Sequence, residues 1–153
     1  MERERKLNTL LAQAGVKTDT TTGALTTPLH FSTTYQHPEF GQSTGYDYTR
    51  TKNPTRASLE ETLAAIESAN YALATSSGMS AIVLAFSAFP VGSKVLAVRD
   101  LYGGSFRWFA QVEAEGRFSF TYANTEEELL NKLTEDIDIV YIETPTNPLM
   151  VEF

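Results

Sequence analysis

The chain has 153 residues, 42% hydrophobic and 20% charged, which is enough to bury the core of one domain and too apolar for a disordered chain. Its net charge of −7 argues against a general nucleic-acid binder, since that needs clustered Lys and Arg. With no cysteine it has no disulfide framework, thiolate nucleophile or cysteine-rich zinc site, and no apolar run approaches the roughly 20 residues of a membrane span.

The opening residues, Met1-Glu2-Arg3-Glu4-Arg5-Lys6, are charged and offer no signal-peptide core, so a cytoplasmic location without membrane attachment is expected. Residues 1–15 read as a short helix with Leu7, Leu10, Leu11 and Ala14 on one face, ending at Gly15. From Thr18 to Tyr48 many Thr residues, Pro28, Pro38, Gly23, Gly41 and Gly45 break every period. An irregular stretch of that length belongs to an extended arm, and its natural support is a second copy of the protein. We set the arm at 1–52 and the α/β part at 53–153.

Asn53-Pro54-Thr55 marks a helix start, capped and with proline in the first turn, followed by Leu59, Leu63 and Ile66 at helical spacing to about Ala69. A strand is expected over Tyr71–Thr75. The Ser76-Ser77-Gly78 turn then opens a buried helix reaching about Phe89. Further on come a strand at 94–98, a helix at 105–115, a strand at 118–122, a helix capped by Thr125 and reaching about Leu133, and a strand at 137–142. This alternation predicts βαβ units: a largely parallel sheet covered on both faces, with ligands gathered at the carboxyl ends of the strands. No repeat or low-complexity tract is present.

Three turns follow strands at that edge. Ala74-Thr75-Ser76-Ser77-Gly78-Met79-Ser80-Ala81 aims the unpaired amides of a helix start at one point, where Gly78 allows close approach and Ser76 or Ser77 can add a hydroxyl; this is a phosphate cup. Tyr102, followed by Gly103-Gly104, is a ring that can lie flat on a planar ligand, and Asn147, between Thr146 and Pro148, offers an amide donor. In the arm, Tyr48 and Arg50 stand two residues apart and share a side on extended backbone, a phenol and a guanidinium suited to a phosphate dianion. Cup, ring and donor together describe a pocket for a planar aromatic phosphate, the shape of pyridoxal 5′-phosphate. A nucleotide-binding α/β domain competes poorly, because the phosphate turn lacks Gly-x-Gly-x-x-Gly and no Gly-rich loop ends in Lys-Ser/Thr.

Gly45-Tyr46-Asp47-Tyr48-Thr49-Arg50 with Asn53-Pro54-Thr55-Arg56, then Ser77-Gly78-Met79-Ser80-Ala81, Tyr102-Gly103-Gly104-Ser105 and Glu143-Thr144-Pro145-Thr146-Asn147-Pro148 resemble the ordered signature of the trans-sulfuration enzymes, the Cys/Met-metabolism pyridoxal-phosphate family. The resemblance implies an N-terminal arm and the first part of the large domain of a fold-type-I pyridoxal-phosphate enzyme. Its chemistry is β- or γ-elimination, or γ-replacement, on a sulfur amino acid or activated homoserine, in a homo-oligomer that is a dimer of dimers in the family. By the same resemblance Ser77 belongs to the cup, and Gly78 and Met79 hold the cofactor phosphate through their amides. Tyr48 and Arg50 reach the phosphate of a neighbouring subunit, Tyr102 stacks on the pyridine and assists proton transfer or leaving-group departure, Asn147 bonds the ring's phenolic oxygen, and Glu143 plays a supporting part. The family's Schiff-base lysine lies beyond the Asn-Pro turn, and Lys6, Lys17, Lys52, Lys94 and Lys132 stand in no matching context. The expectation is therefore an N-terminal fragment, inactive alone; the alternative is a truncated paralogue acting only as an interaction partner. No metal is expected.

Overall fold

The computed structural model describes residues 7–16 and 19–153. The chain divides into two compact units, Met1–Ala74 and Thr75–Phe153, so the helix beginning at Pro54 belongs with the arm. The sequence division at residue 52 falls before that helix. The expected helix over 1–15 begins outside the described residues, as do Lys6 and Lys17; its described part is α1, Leu7–Ala12.

The first unit contains α1 and α2 (Pro54–Ile66), and between them an arm with three isolated antiparallel bridges, Val16 with Thr26, Thr34 with Tyr48, and Glu39 with Gln42. Polar side chains hold it together. The Asn53 side-chain oxygen accepts the amides of Thr55 at 2.8 Å and Arg56 at 3.4 Å, capping α2, while its Nδ2 donates to the carbonyl of His30. Thr55 Oγ1 accepts the His30 amide, and Thr27 donates its hydroxyl to the Gly15 carbonyl. The helix stops at Ile66 instead of Ala69 because Ser68 takes a left-handed φ of 53°. The Ala69 amide then turns back to the Ala64 carbonyl at 2.8 Å. The side of α2 that is buried carries Ala57, Ser58 and Ala64; Leu59 and Leu63, which mark the helical spacing in the sequence, are exposed.

The second unit is built on a three-stranded parallel sheet in the order β2-β1-β3, with β1 at Ser93–Val98, β2 at Phe118–Ala123 and β3 at Ile139–Tyr141. Val95 pairs with Phe120 on one side and Ile139 on the other. Helix α4 (Gly103–Ala114) links β1 to β2 and α5 (Glu126–Lys132) links β2 to β3, while α3 (Gly78–Phe86) precedes the sheet. Val95 to Val98 are buried at four consecutive positions, so the central strand is covered on both faces, as a parallel sheet requires. The core is aromatic. Phe109 is fully buried, its ring stacked 4.5 Å from Phe120 and set edge-on 5.0 Å from Tyr141.

Three expectations differ from the structure. Residues 71–75 form no strand, because no neighbouring strand supplies a ladder; the Ala74 amide bonds Glu60 instead, and Tyr71 and Leu73 are exposed. Helix α3 is not buried all round either: only Phe86 is enclosed, Val83 and Leu84 face outward, and the helix ends three residues before Phe89. The edge strand β3 is also shorter than 137–142, since it pairs with β1 only through residues 95–97.

Candidate functional site

The start of α3 is shaped by its own sequence. Ser77 is the N-cap, with extended backbone, and its hydroxyl accepts the Ser80 amide at 3.1 Å. The amides of Gly78 and Met79, the first two of the helix, have no acceptor within it. A Cβ built on Gly78 would meet nothing within 4 Å, so nothing crowds that side of the turn. The hydroxyls of Ser77 and Ser80 lie 2.9 Å apart, and that of Ser76 lies 3.5 Å from Ser80.

Beside it lies the start of α4. Tyr102 is the N-cap and makes no side-chain cap, and its ring rests on the first turn: a Cβ on Gly104 would sit 2.4 Å from Tyr102 Cε1. Only glycine leaves room for that pose. The Ser105 hydroxyl donates to Met79 Sδ at 3.8 Å, joining the two helix starts.

The turn after β3 closes the group. The Tyr102 amide donates to both carboxylate oxygens of Glu143, each at 3.2 Å. The hydroxyl of Thr146, wholly buried, donates to Asp100 and accepts the Val151 amide at 2.8 Å. Asn147 follows, exposed, its side chain without a partner among the described residues. Ser77, Gly78, Met79, Tyr102 and Asn147 thus stand on three turns that the chain itself ties together.

Tyr48 and Arg50 lie in the first unit. Their backbone is not extended as expected, because the amides of Thr51 and Lys52 turn back onto the Tyr48 carbonyl, each at 3.0 Å. The two side chains still meet: the Arg50 guanidinium sits 4.8 Å above the Tyr48 ring. Three residues of the site were not foreseen, Asp100, Thr146 and Ser105. The signal for the first two was available, since each is a polar residue just past one of two adjacent parallel strands.

The donor set suits pyridoxal 5′-phosphate: two helix-start amides with neighbouring hydroxyls for a phosphate dianion, an aromatic face for a pyridine, and an amide for a phenolic oxygen. The lysines of the second unit are engaged otherwise, Lys94 with Asp136 at 2.6 Å and Lys132 with Glu128 at 3.0 Å. Among the described residues no group of three His, Asp or Glu side chains is placed to hold a metal ion, and no helix is long and apolar enough to cross a membrane.

Known proteins match this chain along almost its whole length. Residues 8–152 match the family described as Cys/Met metabolism PLP-dependent enzyme. A cystathionine gamma-synthase/O-acetylhomoserine (thiol)-lyase of Bacillus subtilis is 42% identical over 148 residues, which are 95% of this chain and 40% of that protein. A cystathionine gamma-lyase of Dictyostelium discoideum is 40% identical over 95% of this chain and 38% of its own. Among solved structures, cystathionine gamma synthase of Xanthomonas oryzae pv. oryzae, in complex with aminoacrylate and cysteine, superposes with a TM-score of 0.87 at 36% identity, covering 97% of this chain and 39% of that one. The chain thus spans about two fifths of the length of these relatives. None of these matches supports the alternative of an inactive interaction partner.

Proposed function

The chain belongs to the Cys/Met metabolism PLP-dependent enzymes, whose fold is fold type I, and from that premise we propose that it supplies the N-terminal arm and the first part of the cofactor-binding domain of a trans-sulfuration enzyme. The reaction is β- or γ-elimination or γ-replacement on a sulfur amino acid or activated homoserine, in the cytoplasm and in a homo-oligomer. The observation that supports this reading is the tie of Tyr102 to Glu143 and of Thr146 to Asp100, beside a helix start joined through Ser105 and Met79.

In that reading the Gly78 and Met79 amides bind the phosphate, helped by the positive end of α3. Ser77 keeps those amides aimed by capping the turn. Tyr102 holds the pyridine by its face, and its phenol oxygen carries the proton passed to a leaving group. Asn147 orients the ring by donating from Nδ2 to its phenolic oxygen. Bound pyridoxal phosphate supplies an electron sink for the pair left on the substrate's Cα. Residues 1–52 serve a neighbouring subunit, where Tyr48 and Arg50 add a hydroxyl and a charged fork to the phosphate. The test is the intact mass and absorbance of the protein purified from its source. The yellow of a lysine-bound pyridoxal in a longer polypeptide supports the reading; a colourless protein that takes up no pyridoxal phosphate overturns it.

A further inference from the structure

Tyr102 starts α4 under poor local conditions. A tyrosine side chain cannot cap, and the two glycines behind it are weak helix formers. In a capping box the third helical residue reaches back to the N-cap amide. Here that residue is Ser105, and its hydroxyl is turned to Met79. The amide is held instead by Glu143, 41 positions along the chain at the end of β3, with both oxygens at 3.2 Å. A carboxylate there also faces the positive end of α4. The bond between Asp100 and Thr146 ties the same two loops a second time.

We propose that Glu143 is a positioning residue that caps α4 from the loop after β3 and so fixes the pose of the Tyr102 ring against the cofactor. The inference rests on the reading that this edge takes pyridoxal phosphate. Gly104 gives the ring room to lie on the helix, and Glu143 holds the backbone that carries the ring. Asn147, next to the buried Thr146, is held to the same frame by Asp100. Removing Glu143 leaves the cup at α3 intact and lets the ring move, so it separates stacking from phosphate binding.

The experiment compares the natural protein with Glu143→Ala and Glu143→Gln, using pyridoxine 5′-phosphate, which has no aldehyde and forms no imine with lysines. Amide hydrogen exchange at Tyr102 is measured without ligand; affinity and induced circular dichroism of the pyridine are measured with it. We expect about tenfold faster exchange and about tenfold weaker binding in Glu143→Ala, a changed dichroism, and partial recovery in Glu143→Gln, whose oxygen still accepts the bond. Wild-type exchange in Glu143→Ala, or faster exchange with unchanged affinity and dichroism, overturns the inference. If Glu143→Ala does not fold, Glu143→Asp, one methylene short of the Tyr102 amide, with exchange and dichroism identical to wild type overturns it equally. Unsubstituted protein that fails to bind the probe overturns the functional reading, and the cofactor role of Glu143 with it; the two failures are thus told apart.

Discussion

The two units are held together by different means. In the second, Val95, Leu96, Ala97, Val98, Phe109 and Val112 are almost wholly enclosed, and their burial dominates its stability. In the first, the only buried hydrophobic residues among those described are Ala57 and Ala64, while Leu25, Leu29, Phe31 and Phe40 are exposed, and side-chain-to-backbone bonds about Asn53, Thr55 and Thr27 give the arm its shape. One unit has a core of its own; the other has capped turns and apolar side chains left exposed among the described residues. The difference separates a unit built on an aromatic and aliphatic core from one shaped by capped turns.

The largest effect that can break this contrast is at Phe109. Phe109→Ala should lower unfolding free energy by roughly 3–5 kcal/mol in urea titration, and Phe40→Ala, fully exposed, by less than about 0.5 kcal/mol. Comparable losses at both would show that the arm has a core that burial fails to reveal. Gly104→Ala sharpens the comparison within the second unit. Alanine favours a helix by up to about 1 kcal/mol, yet its Cβ would displace the Tyr102 ring, so affinity for pyridoxine 5′-phosphate should fall while the unfolding midpoint holds or rises. A parallel fall of both would make Gly104 merely structural. Next in size are the caps: Asn53→Ala and Thr125→Ala should each cost about 1 kcal/mol, read by thermal unfolding, with Asn53→Ala also loosening the arm through its lost bond to His30.

How much of this could be read from the sequence follows the same division. Strands β1 and β2 and helices α4 and α5 were legible because apolar runs, glycine stops and the Thr125 cap are local signals, and the parallel sheet followed from their alternation. The strand at 71–75 was misread because strand pattern is local whereas a ladder needs a partner. At the site, Ser77, Gly78, Met79, Tyr102 and Asn147 were visible as turns after expected strands. Asp100 and Thr146 stood in view as polar residues just past strands, but their bond to each other and the hold of Glu143 on a backbone amide did not, since contacts 41 and 46 residues apart leave no period in a sequence.

The smallest effect is electrostatic. The Glu128 carboxyl is held down from 4.5 to about 2 by the Asn124 amide and the Lys132 ammonium, and it is exposed. A lowered acid adds stability above its unfolded value and loses it as pH falls, so the contribution should fade between about 4.5 and about 2. Urea midpoints of Glu128→Gln should fall less steeply across that window than those of wild type; identical slopes would deny the bond any part in stability.

The central claim, one cofactor edge assembled from three turns, is tested most directly by residue-resolved hydrogen exchange of the unsubstituted protein during titration with pyridoxine 5′-phosphate. The account predicts that amides at 78–80 and at 102–105 gain protection together, with a single dissociation constant. Protection at 78–80 alone, or with a different constant from that at 102–105, would contradict it.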